Sequence, residues 1–231
     1  MVQDQEPLFA REGLFRQKLN QLRKTGHIPQ NIKSDSQSRL RELEQGGYLD
    51  KVKSTLEHAD PKEMERITLL DRTTELYNHS TIMRILGDEF KRSRRYKHDC
   101  TVLMLLIDGL YGIQQSAGAE VSDNILKGVS DFLMKEVRDV DIPARYSAEQ
   151  LLVVCPETNA DGVAVLAERL RSKIPLQRVS DAGQNWHVTV SIGIASYPQN
   201  VETLDDLLLE AENALNASID RGGNAYTISQ R

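Results

Sequence analysis

Residues 101–107 read TVLMLLI, seven positions without a charge in a chain that is 27% charged. A strand with one wet face would carry a polar residue at every second position, and this run does not alternate. It therefore predicts a strand covered on both sides. Residues 151–155 (LLVVC), closed by Pro156, form a second run of the same kind. Around them apolar residues recur at helical spacing: Ile82, Ile85, Leu86 and Phe90 ahead of the first run, then 121–137, 161–174 and 204–219. Residues 186–194 alternate and predict a further strand. Helices and strands in alternation must cover the two faces of one sheet, which is an α/β fold.

The flanking chain differs in character. Residues 1–35 are broken by Pro7, Gly13, Gly26 and Pro29 and read as a tail. Within it Leu8, Phe9, Phe15, Leu19 and Leu22 are interleaved with Arg11, Arg16, Lys18, Arg23 and Lys24. Such a basic amphipathic segment either packs on its own domain or docks on a protein partner. Residues 36–70 read as a helical stalk, with Gly46-Gly47 breaking it and Asp60-Pro61 restarting it. Residues 71–231 form the main domain.

A net charge of −5 gives no general attraction to a polyanion, so nucleic acid binding is not expected. The N-terminus has no signal-peptide pattern, and no apolar run approaches the roughly 20 residues of a membrane span. The expected setting is a bacterial cytoplasm, with recruitment to a cell pole or surface left to a partner. The two cysteines, Cys100 and Cys155, lie at or in apolar runs and read as buried free thiols. The five histidines are scattered and show no metal-ligand spacing.

Several strings, in order, resemble the GGDEF family of diguanylate cyclases. Asp71 with Leu76-Tyr77-Asn78 is similar to the family's DxLTGLxN opening. Residues 188–195 (VTVSIGIA) are similar to its late strand, and Ala144-Arg145-Tyr146 to the residues that lead into its signature hairpin. Pro156-Glu157-Thr158 and the AERLR string at 167–171 follow at the family spacing. The resemblance implies a nucleotidyl-cyclase-like fold: a central, mainly antiparallel five-stranded sheet flanked by helices. Gly87-Asp88-Glu89-Phe90 spells GDEF but falls in a predicted helix before the first strand. It reads as coincidence, with its carboxylates solvated.

The family joins two GTP molecules by phosphoryl transfer, with Mg²⁺ held by carboxylates. Here the signature place reads Ser147-Ala148-Glu149-Gln150. Both glycines are absent, and Gln150 stands where the family has a metal-binding acid. Leu106 stands at the other metal position, and Asp108 is expected to alternate to the opposite face of the sheet. Gln114 stands at the family's base-reading Asn, Ile219 at its phosphate-binding Lys and Gly223 at a nearby basic place; Asp123 matches a guanine-reading acid. Losing one charged transition-state contact costs about 10²–10³ in rate. The resemblance thus implies a chain that is not an enzyme, with no catalytic residues and no Mg²⁺ or other cofactor.

A second site of the family is retained. Arg138-Asp139-Val140-Asp141 is RxxD, five residues ahead of Ser147, the family's register for a product-binding site. An Arg fork matches guanine O6/N7 or a phosphate, and a carboxylate accepts from guanine N–H groups. Arg169 matches a further product-site Arg, and Arg92 an Arg lent by a neighbouring subunit. The expected function is a cyclic di-GMP receptor that binds through Arg138, Asp141, Arg169 and Arg92. It would act as a homodimer and signal through protein contacts. A nucleotide-independent docking scaffold is the alternative, and an enzyme, or a GTP-binding regulator using Asp123 and Glu149, a third reading. A plain surface salt bridge between Arg138 and Asp141 is what the pair would form without a ligand role.

Overall fold

A computed structural model describes residues 68–177, 179–181, 184–199 and 201–230. The expectations for the tail (1–35) and for the stalk up to residue 67 lie outside the described residues. The elements below belong to the compact unit Asp71–Arg231. In chain order they are α1 (His79–Tyr96), β1 (Cys100–Ile107), α2 (Leu110–Ala117), α3 (Ala119–Glu136), β2 (Ile142–Arg145), β3 (Gln150–Pro156) and α4 (Ala160–Lys173). A short 3₁₀ turn, Ile174–Leu176, leads to β4 (Val179–Asp181), β5 (Gln184–Trp186), β6 (Val190–Tyr197), α5 (Leu204–Asp220) and β7 (Tyr226–Ile228).

The sheet order is β2-β3-β1-β6-β7, and only the β6–β7 pair is parallel. This is the expected five-stranded, mainly antiparallel sheet, with β4 and β5 as a separate two-stranded ladder. The TVLMLLI run is its middle strand. Leu103, Leu105 and Ile107 join Leu151, Val153, Ile192 and Ile194 in a core closed by Ile125, Leu126 and Leu133 of α3 and Val163, Leu166 and Leu170 of α4. The other face, with Val102 and Met104, is covered by α1 and α5. Each Leu or Ile buried this way contributes roughly 1.5–3 kcal/mol, so the two-sided run is the main reason for a layered sandwich.

Asn78, Asn159 and Thr203 cap the first turns of α1, α4 and α5 with side-chain oxygens that accept from Thr81, Gly162 and Asp206 N–H groups. Three local expectations change. The strand expected over 186–194 starts at Val190 and runs to Tyr197. It is buried at every position but the last because β1 and β7 flank it and helices cover both faces. Helix α2 was not expected: only Leu110 of it is buried, so it carries almost no apolar period. The GDEF string does lie in α1, yet Glu89 is buried and paired with Arg92 at 2.7 Å, rather than solvated.

Gly193 marks the tightest packing. A Cβ there would lie 2.1 Å from the Ala211 carbonyl oxygen and 2.3 Å from the Leu215 nitrogen, both α5 backbone atoms. Gly193→Ala should lower stability by about 2–3 kcal/mol, seen as a lower urea midpoint at unchanged slope. Gly112→Ala, with nothing near its Cβ, should be neutral or slightly stabilising.

Both cysteines are free and buried. Burial, and then the nearby Glu89 carboxylate, pushes Cys100 up to about 12. Burial, and then Asp141, raises Cys155. As pH climbs past the unfolded thiol value of about 8.5, the unfolded chain ionises first, so the thiols' contribution to stability falls from there upward. At pH 8 an aromatic disulfide reagent should find no thiol in the native protein and two per chain in guanidinium.

Candidate functional site

Two regions can carry chemistry, one at each end of β3. The β2–β3 hairpin, residues 146–149, is held from outside its own strands. Asp71 accepts from the Thr74 backbone N–H at 2.8 Å and the Thr74 hydroxyl at 2.9 Å, which shapes the turn into Leu76. The Arg145 Nη1 reaches both Asp71 oxygens at 3.2 and 3.1 Å. Its Nε and Nη2 donate to the carbonyls of Ser147 (3.1 Å) and Ala148 (2.9 Å). One guanidinium thus ties the hairpin to the opening loop.

Across the sheet Leu106 is in register with Gln150 on β3 and Ser191 on β6. Asp108 does not point to the other face. Its carboxylate accepts from Ser191 Oγ at 2.7 Å and Thr189 Oγ1 at 2.6 Å, and from the Asn224 N–H at 2.9 Å. Two residues beyond Leu106, the strand's period of two returns the side chain to the same face. The carboxylate is spent on closing the turn after α5. Among the described residues no three His, Cys, Asp or Glu side chains cluster in a way that could hold a metal ion. Leu106 offers no ligand oxygen, Gln150 only an amide and Asp108 an engaged carboxylate, so Glu149 alone on the hairpin does not make the carboxylate set for the Mg²⁺ that the resemblance implies at this end of the sheet.

The RxxD end is built differently. Helix α3 stops at Glu136, and the chain turns through 138–141 into β2. Asp141 N–H donates to the Arg138 carbonyl at 3.2 Å, and the Arg138 N–H donates to Asp141 Oδ2 at 2.7 Å. Asp141 is buried while Arg138 is exposed, so the carboxylate braces the turn instead of pairing with the guanidinium. The surface salt bridge that the pair would form without a ligand role is not formed between these two side chains.

Arg138 and Asp141 line an open cleft with Cys155 and Thr158 from the end of β3 and beyond, and with Gly162, Val163, Val165, Leu166 and Arg169 of α4. It is shallow and open to solvent. The fold therefore brings Arg138 and Asp141, from one turn, together with Arg169 of α4. Arg92 does not line this cleft. It is 14% exposed and held by Glu89 at 2.7 Å and Glu157 at 3.7 Å, and Glu157 also meets His98 at 3.4 Å. Glu136 was not singled out from the sequence. It holds Arg169 from 33 residues away, a separation that no local pattern reports.

Comparison with known proteins supplies the family. The family model described as "Diguanylate cyclase, GGDEF domain" matches residues 68–225. Diguanylate cyclase A of Treponema denticola is 30% identical over 134 residues, 58% of this chain and 36% of that protein. The response regulator PleD of Caulobacter vibrioides is 25% identical over 186 residues, 80% of this chain and 40% of that protein. The chain thus spans well under half the length of these curated relatives. Among solved structures, the GGDEF domain of DgcB from Caulobacter crescentus, in complex with c-di-GMP, superposes with a TM-score of 0.67 at 22% identity. That match covers 71% of this chain and 96% of the other. Diguanylate cyclase SiaD of Pseudomonas aeruginosa, in complex with its activator SiaC, gives 0.67 at 20% identity, covering 96% and 83%.

The expectation that the chain is not an enzyme is overturned by the matching family, described as diguanylate cyclase, and by relatives that carry that name, Diguanylate cyclase A among them. Side chains at a few family positions did not outweigh a match across the domain. With its sheet order, its opening loop and its family match in agreement, the chain belongs to the GGDEF-domain family of diguanylate cyclases.

Proposed function

We propose that this domain binds cyclic di-GMP in the cleft of Arg138, Asp141 and Arg169 and passes the signal on through protein contacts. The observation that carries this reading is the convergence of two guanidinium groups and a buried carboxylate on one open cleft, from a single turn and a helix. Among the described residues no carboxylate pairs with the Arg138 side chain, which leaves its fork for a guanine edge or a phosphate. Asp141 offers an acceptor to guanine N1–H and the exocyclic amine. The family relationship, and the ligand named for the DgcB domain, support the choice of dinucleotide.

Binding at this cleft needs no Mg²⁺, because its charges already complement a dianion carrying two guanines. In a homodimer Arg92 of a second copy would complete the site after leaving Glu89 and Glu157. The basic segment in residues 1–35 is a candidate contact for an output protein. No helix among the described residues is long and apolar enough to cross a membrane. Family membership also brings the cyclase reaction to this chain. Incubation with GTP and Mg²⁺, followed chromatographically for the dinucleotide, measures it independently of the cleft.

Titration calorimetry should show cyclic di-GMP binding in EDTA as well as in Mg²⁺. Arg138→Ala should weaken it by about 10–100-fold, the worth of one bidentate contact of about 1–3 kcal/mol. Asp141→Asn keeps the bracing acceptor but turns a donor toward guanine N1–H, and should weaken it similarly. No heat at tens of micromolar protein would leave the fold as a docking scaffold.

A further inference from the structure

We propose that Glu136 is a positioning residue for Arg169, holding one edge of its guanidinium so that the other edge faces the cleft; this rests on the cleft being the dinucleotide site. Arg169 Nε lies 2.7 Å from Glu136 Oε2, and Arg169 Nη2 donates to the Glu136 backbone carbonyl at 2.5 Å. Both contacts use the Nε/Nη2 edge. Nε is sealed from solvent, and its N–H is not aligned for a hydrogen bond, so the attraction to Oε2 is chiefly between charges. Among the described residues nothing holds Nη1, so the end-on Nη1/Nη2 fork is left for a ligand. That fork is the one that meets a guanine O6/N7 edge or two phosphate oxygens in a plane.

Glu136 sits in an odd place for a helix residue. It is the last residue of α3, where the helix dipole disfavours a negative side chain. Two cations from α4 offset that cost: Arg169, and Lys173 at 3.2 Å from Oε1. The neighbouring α4 pair, Glu168 with Arg171 at 2.6 Å, takes no part in this arrangement. The carboxylate is 16% exposed and bracketed, so Arg169 reaches the ligand already ordered. An unbraced Arg would lose its rotamer freedom on binding.

The sign of the effect separates positioning from simple charge. Removing a carboxylate near a dianionic ligand tightens binding if only its charge matters, whereas losing a brace weakens it. Calorimetry with cyclic di-GMP, on variants whose thermal midpoints match the wild type, should show Glu136→Ala binding about fivefold to tenfold more weakly. Glu136→Gln keeps the side chain's size but not the charge that attracts Nε, so it should weaken binding nearly as much as Glu136→Ala. In an Arg169→Ala background, Glu136→Ala should change nothing further. Wild-type binding together with equal or tighter binding by Glu136→Ala would remove the role of Glu136 and leave the cleft intact. Silence from the wild-type protein would remove the cleft reading and this role with it.

Discussion

Strand β1 has no face that tolerates water, and the rest of the domain is arranged around that fact. Its odd-numbered residues lie under α3 and α4, its even-numbered ones under α1 and α5, and its neighbours β3 and β6 are buried almost as fully. Such a strand can sit only in the middle of a sheet with a helical layer on each side. The cost is close approach: α5 lies so near β6 that only a residue without a Cβ fits at Gly193. Chemistry is pushed to the ends of the strands, where burial stops.

The two ends of β3 show how differently the same sheet can be used. At the hairpin end two charged groups are consumed internally: Arg145 is committed to Asp71 and two hairpin carbonyls, and Asp108 to Thr189, Ser191 and Asn224. At the other end, a strand's length away or roughly 20 Å, the Arg138 head and one edge of Arg169 are uncommitted among the described residues. Charges already satisfied within the fold contribute to rigidity. Those left facing an open cleft are available to a ligand.

Family membership and side-chain geometry speak to different questions. The match across residues 68–225 assigns the family and brings with it an enzyme's ancestry, against the expectation drawn from Leu106, Gln150 and Ile219. Those three positions still describe what stands on the hairpin end of the sheet. The placement of Asp108 also corrects a step in that reasoning, because residues two apart on a strand share a face.

By itself the sequence determined the layered sheet, because continuous apolar runs such as 101–107 and 151–155 admit no other environment. It also determined the RxxD register, since four adjacent residues need no folding to be recognised. Helix α2 and the start of β6 were illegible because their environment comes from distant neighbours rather than from local period. Only the tertiary structure decided that Asp141 braces its own turn, that Arg92 is held by Glu89 and Glu157, and that Glu136 reaches Arg169. The physical reason is the same in each case. A side chain's partner is chosen by which elements pack together, and packing brings together residues whose separation along the chain carries no signal.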